Sequence, residues 1–112
     1  PPGRYVADGE IVIDGPGGGE SFDLLQQRIH PAASRIERLA AETPARFAAF
    51  DLLAEGDEAL LEAPFGERRA RLEGLAPAMA LVERTEDAAA AERWLRTAEG
   101  VIAKRLDAPY RP

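Results

Sequence analysis

Three β-type runs, set apart by helical stretches and by glycine and proline breaks, decide most of what this chain can fold into. The most strand-like covers residues 45–53, Ala45-Arg46-Phe47-Ala48-Ala49-Phe50-Asp51-Leu52-Leu53. Strict alternation puts Phe47, Ala49 and Asp51 on one face and Ala48, Phe50 and Leu52 on the other. A turn at Glu55-Gly56-Asp57 follows. Residues 4–13 make a second run, with Val6, Asp8, Glu10 and Val12 on one face and Ala7, Gly9, Ile11 and Ile13 on the other. The stretch Asp14-Gly15-Pro16-Gly17-Gly18-Gly19 stops it. Its spacing fits neither G-x-x-x-x-G-K-[ST] nor G-x-G-x-x-G before a helix, so it reads as a turn. The third run is residues 99–106, and a short strand is expected near 79–83.

Helices fill the intervals. Ser21 caps one that carries Phe22, Leu25 and Ile29 at i, i+3 and i+7 and stops at Pro31. A second, over about 33–41, turns Ile36 and Leu39 inward and ends at Thr43-Pro44. A third runs over 65–72 and closes at Gly74. Thr85 can cap a fourth, over 86–98, on which Trp94 is a packing residue. Interleaved strands and helices define an α/β or α+β domain, with no internal repeat and no linker to divide it.

Composition narrows the class. At 112 residues, 46% hydrophobic and 30% charged, this is an ordinary globular make-up with enough chain for one core. No apolar run approaches the roughly 18 residues that span a bilayer, and no signal segment opens the sequence. The absence of cysteine excludes disulfides and thiolate metal sites and fits the cytoplasm. A net charge of −6 runs against nucleic-acid binding. The charge is uneven, though, with Arg68, Arg69 and Arg71 in one cluster and Lys104, Arg105 and Arg111 in another.

Three segments can carry chemistry. Asp8-Gly9-Glu10 places acids on an otherwise apolar strand, where they are poor strand formers. They serve either a solvated face or a polar cleft in which Glu10 accepts hydrogen bonds from a ribose. Two aromatics on a strand, Phe47 and Phe50, are usually core, though one of them can instead floor a purine pocket. Glu99-Gly100-Val101-Ile102-Ala103-Lys104 opens on a carboxylate suited to Mg²⁺ and closes on a compact cation suited to phosphate. Alternation puts Glu99 and Lys104 on opposite faces, so a shared site needs a bend or bulge between them. A capping acid and a surface lysine are the plain reading. His30 has no carboxylate or second histidine at motif spacing and reads as a structural or surface residue. Arg68, Arg69 and Arg71 either track DNA or solvate a helix.

The order D-G-E, F-D-L-L, E-G-V-I-A-K resembles the nucleotidyltransferase (adenylation) domain of ATP-dependent DNA ligases, and more closely the bacterial enzymes of DNA repair and end joining. The stretches Leu25-Gln26-Gln27-Arg28-Ile29-His30-Pro31 and Lys104-Arg105-Leu106-Asp107 through Tyr110-Arg111-Pro112 share in it. The resemblance implies an α+β, ATP-grasp-like nucleotidyltransferase fold, mainly antiparallel sheets flanked by helices. It implies ATP with Mg²⁺ or Mn²⁺ as cofactors and nicked duplex DNA, with other repair proteins, as partners. Carried over, Glu10 contacts the ATP ribose, Phe50 stacks on adenine, Glu99 binds the metal and Lys104 contacts the α-phosphate. Glu99 and Lys104 are thereby catalytic, and Arg68, Arg69, Arg71, Arg105 and Arg111 are candidate DNA contacts. The nucleophilic lysine of the family's K-x-D-G motif and its closing K-x-K motif have no counterpart here, since Lys104 is the only lysine. Thr97-Ala98-Glu99 is also more abrupt than in relatives. Residues 1–112 are thus expected to be the central part of one adenylation domain, without the nucleophile segment and the C-terminal OB-fold domain. An RNA ligase, an mRNA-capping-type nucleotidyltransferase and a non-catalytic module are the alternatives; the 104–112 stretch favours the DNA enzymes.

Overall fold

A computed structural model describes residues 3–15, 19–26, 33–98 and 100–112. The elements are β1 (Tyr5–Val12), α1 (Phe22–Gln26), α2 (Ala33–Glu42), β2 (Arg46–Glu55), β3 (Glu58–Ala59), α3 (Phe65–Glu73) and α4 (Ala88–Trp94). The strands make one antiparallel sheet in the order β1-β2-β3, which gives an α+β architecture. The turn into β3 passes through Gly56 at φ 59°, a conformation glycine adopts without steric cost. Among the described residues no helix is long and apolar enough to cross a membrane.

β2 does not keep strict alternation. Gly9 pairs with Ala49 and Asp8 with Asp51, which leaves Phe50 unpaired; Ala7 pairs with Leu52 and Val6 with Ala54, which leaves Leu53 unpaired. Each step is a bulge, and a bulge re-aims the side chains beyond it. That is how Ala49 and Leu52, three positions apart, enter the same core with Leu60, Leu72 and Met79. α3 packs over this cluster along β2. Tyr5, Ala7, Ala63, Leu75 and Leu81 close its rim.

A core role for Phe47 fails. Its ring is 43% exposed, so it is not a core residue. It lies instead above Gly9, where an added Cβ would come within 2.6 Å of Phe47 Cζ and 2.9 Å of Ala49 Cα. Part of that obstruction is backbone, which cannot swing aside. Gly9→Ala should therefore cost about 1–3 kcal/mol, the usual range for overpacking. Urea unfolding of the protein checks this, and a Gly9→Ala midpoint equal to wild type would contradict it.

Other expectations shift in detail. Leu39 is buried on α2, but Ile36 is 46% exposed. Ser21 Oγ accepts from Leu24 N at 3.2 Å, as an N-cap should; Ile29, His30 and Pro31 lie outside the described residues. Asp87, not Thr85, caps α4, accepting from Ala89 N at 3.0 Å, while Thr85 Oγ1 accepts from Asp87 N. Residues 79–83 form only a parallel bridge, Leu81 beside Ala49, with Val82 N donating to Ala49 O at 2.8 Å.

The largest change is at residues 100–106, which form no strand. Val101 and Ile102 are 40% and 83% exposed. A strand needs a partner's ladder, and here the carbonyls that follow serve α3 instead. The first turn of a helix has N–H groups with no partner inside it, and Pro64 supplies no side-chain cap. Phe65 N donates to Ala108 O and Gly66 N to Leu106 O, both at 2.8 Å. α3 and the C-terminal segment are thereby joined.

Candidate functional site

Arg68 projects from α3 into the sheet and meets Asp51 as a two-pronged pair, with Nε donating to Oδ1 at 2.8 Å and Nη2 to Oδ2 at 3.1 Å. Their side chains are only 3% and 1% exposed. Nη1 donates to Ala63 O at 2.5 Å and to Ala108 O at 3.1 Å, and Asp51 Oδ1 also accepts from Leu52 N at 2.8 Å. Buried charge is tolerable when it is paired and hydrogen-bonded in this way, here through four of the five guanidinium N–H groups. The Phe65 and Tyr110 rings flank the guanidinium, with centroids 5.5 and 5.9 Å from its carbon.

Tyr110 extends the network. Its hydroxyl donates to Asp8 Oδ2 at 2.8 Å, while Asp8 Oδ1 accepts from Gly9 N at 2.9 Å. The hydrogen bond to the Asp8 carboxylate pushes the Tyr110 phenol above its ordinary range, and lost solvation and the charges of Asp8 and Asp51 act the same way against Arg68. Tyr110 is therefore held as a proton donor.

Above this base, Lys104 Nζ sits 4.6 Å from the centre of the Phe50 ring and 5.2 Å from that of Phe65. Phe50 is half-buried at the β2 bulge. Asp51, Phe65, Arg68, Lys104 and Tyr110 share the lining of a cleft of about 240 Å³. A ring face beside a mobile ammonium can receive a flat base at one end and an anionic group at the other. Asp8 and Asp51 are already engaged and do not offer a free base.

Phe50 and Lys104, far apart in sequence, thus come together. Glu10 does not join them: it is exposed on β1 opposite Ala48, and Asp8 is the member of the D-G-E strand that touches the cluster. Glu99 lies outside the described residues. Mg²⁺ takes oxygen ligands, yet among the described residues no group of three or more His, Asp or Glu side chains gathers.

Two of the three arginines clustered on α3, Arg68 and Arg69, need correcting as a DNA track. Arg68 and Arg69 are 2% and 4% exposed. Arg69 is spent on Glu73 at 3.1 Å and on Val82 O at 2.7 Å. Arg71 is tied to Glu58 by two hydrogen bonds, at 2.8 and 3.1 Å, which hold the Glu58 carboxyl below its usual range. Arg105 is exposed and pairs with Asp107, and Arg111 is exposed, so these two keep accessible positive charge. Phe65 and the Asp51–Arg68 and Asp8–Tyr110 pairs were missed from sequence. Asp51 in an apolar strand was the available signal, because a buried carboxylate needs a cation somewhere.

Residues 2–112 match the family profile of the ATP dependent DNA ligase domain. The chain is 48% identical over 120 residues to DNA ligase C2 of Mycolicibacterium smegmatis and 44% identical over 124 residues to DNA ligase C of Mycobacterium tuberculosis. Each alignment covers 99% of this chain and 34% of the relative. Among solved structures it is similar to a mycobacterial DNA ligase D complexed with ATP and MES, with a TM-score of 0.76, 34% identity, and coverage of 96% of this chain and 34% of the other. The ligase domain of M. tuberculosis LigD gives the same TM-score and coverages at 37% identity. The chain belongs to the ATP-dependent DNA ligase domain family and represents part of the adenylation domain; it spans about a third of the length of the curated relatives it matches.

Proposed function

We propose that the protein carrying this chain is an ATP-dependent DNA ligase of the bacterial repair type, working in the cytoplasm on nicked duplex DNA. The observation that carries the site reading is the meeting of Lys104 Nζ with the Phe50 ring at 4.6 Å. Phe50 is the platform for adenine, where stacking is worth about 1–3 kcal/mol per base. Lys104 reaches the α-phosphate, and Glu10, exposed on the neighbouring strand, takes the ribose. Arg105 and Arg111 are the cations left for the DNA backbone. Glu99 alone carries the assignment of Mg²⁺ or Mn²⁺, which would share in neutralising phosphate charge.

In this reaction a lysine amine attacks the α-phosphorus of ATP and expels pyrophosphate, leaving a lysine–AMP phosphoramide. The 5′-phosphate of the nick takes the AMP, and the 3′-hydroxyl then displaces AMP to form the phosphodiester. Such chemistry depends on positioning and on stabilising developing charge. The residues of this chain bind and orient; the attacking lysine is a different one from Lys104.

Incubating the full-length protein with ATP labelled at the α-phosphate should give a covalently labelled band on a denaturing gel. The label should pass to nicked DNA on chasing. The 112-residue chain by itself should take no label. A labelled 112-residue band that disappears in Lys104→Ala would overturn the assignment of Lys104 as a phosphate contact. A full-length protein that stays unlabelled would overturn the ligase reading.

A further inference from the structure

Lys104 lies in a stretch with no ladder of its own, so its place over Phe50 has to be set from outside. Four contacts fix the chain just after it. Leu106 O and Ala108 O accept from the first amides of α3, and Tyr110 N donates to Leu61 O at 2.8 Å. The Tyr110 hydroxyl reaches across to Asp8 on β1. Arg68 ties these parts to the platform. One guanidinium holds Asp51, the residue next to Phe50, together with the Ala63 carbonyl before α3 and the Ala108 carbonyl after Lys104.

We propose that Arg68 and Tyr110 are positioning residues for Lys104, setting the distance between the phosphate-binding ammonium and the aromatic base platform. This rests on the reading of Lys104 as the phosphate contact. Stability by itself would not require such a device, since an apolar pair of similar volume in this place is often no less stable than a buried ion pair. What the guanidinium adds is a rigid fork whose separate N–H groups hold three chain segments in one plane. A lysine, with one flexible nitrogen, cannot reproduce that fork.

The test measures ATP and adenosine affinities of the full-length protein as wild type, Arg68→Lys, Tyr110→Phe, Lys104→Ala and the Arg68→Lys/Lys104→Ala double variant. Adenosine lacks phosphate, so only the ATP value senses Lys104. Arg68→Lys should leave adenosine binding within twofold and weaken ATP about tenfold, the scale of one misaligned charge-assisted hydrogen bond. Tyr110→Phe, which keeps the ring, should weaken ATP selectively by a smaller factor. In the Lys104→Ala background Arg68→Lys should add nothing. Equal losses for ATP and adenosine, or a full Arg68→Lys loss persisting without Lys104, would overturn the proposal and leave Lys104 in place. A Lys104→Ala protein with an unchanged ATP-to-adenosine ratio would sink the phosphate reading itself. Should Arg68→Lys fail to fold by circular dichroism, Tyr110→Phe decides: a selective ATP loss supports the positioning role and an unselective one overturns it.

Discussion

Asp51→Ala should destabilise the protein by about 3–5 kcal/mol, the cost typical of stripping one partner from a buried ion pair. The loss is large because Arg68 would remain, with its side chain only 3% exposed and no carboxylate beside it. A deficit of that size is a sizeable part of the roughly 5–15 kcal/mol that holds a typical domain folded. Asp107→Ala makes the contrast. It removes the partner of Arg105, but that pair is 81% and 70% exposed, and such surface pairs contribute about 0–1 kcal/mol. Replacing Asp51 and Arg68 together by leucine and methionine should cost less than Asp51→Ala alone, since no unpaired charge is then buried. Urea unfolding followed by circular dichroism measures all three. An Asp51→Ala protein as stable as Asp107→Ala would show that this pair does not hold α3 to the sheet.

The second large effect concerns the rate of lysine adenylation. Lys104→Ala in the full-length protein should slow it by about 10²–10³-fold, as expected when one aimed electrostatic donor is lost from a phosphoryl-type transition state. Stability should change little, because the side chain is exposed and its contacts are with ring faces. Single-turnover formation of the labelled adduct at saturating ATP reads this directly. A rate within threefold of wild type would remove Lys104 from the chemistry.

Much of this arrangement is legible in the residues. The 65–72 helix closing at Gly74 and the 45–53 strand follow from periodicity and turn chemistry, and the nearness of Phe50 and Lys104 from resemblance alone. The faces of β2 do not follow, because a bulge is a property of two strands in register and neither strand announces it alone. Alternation gives Phe50 a face opposite Phe47, and the bulge at Phe50 interrupts that alternation. The role of Arg68 was hidden for a similar reason. Three arginines in a helix look alike in sequence, and only packing separates the buried Arg68 and Arg69 from the partly exposed Arg71. Residues 99–106 read as a strand because their apolar composition is that of one. Strand propensity cannot supply a partner, and the carbonyls that follow went to the open end of α3.

The claim on which everything else depends is that Phe50 and Lys104 are the two ends of one nucleotide site. A crystal structure of the full-length protein with ATP tests it most directly. Adenine should lie face to face with the Phe50 ring, and Lys104 Nζ should stand at about 2.7–2.9 Å from an α-phosphate oxygen, the distance of a charge-assisted hydrogen bond. Adenine bound away from Phe50, or an α-phosphate out of reach of Lys104, would contradict it.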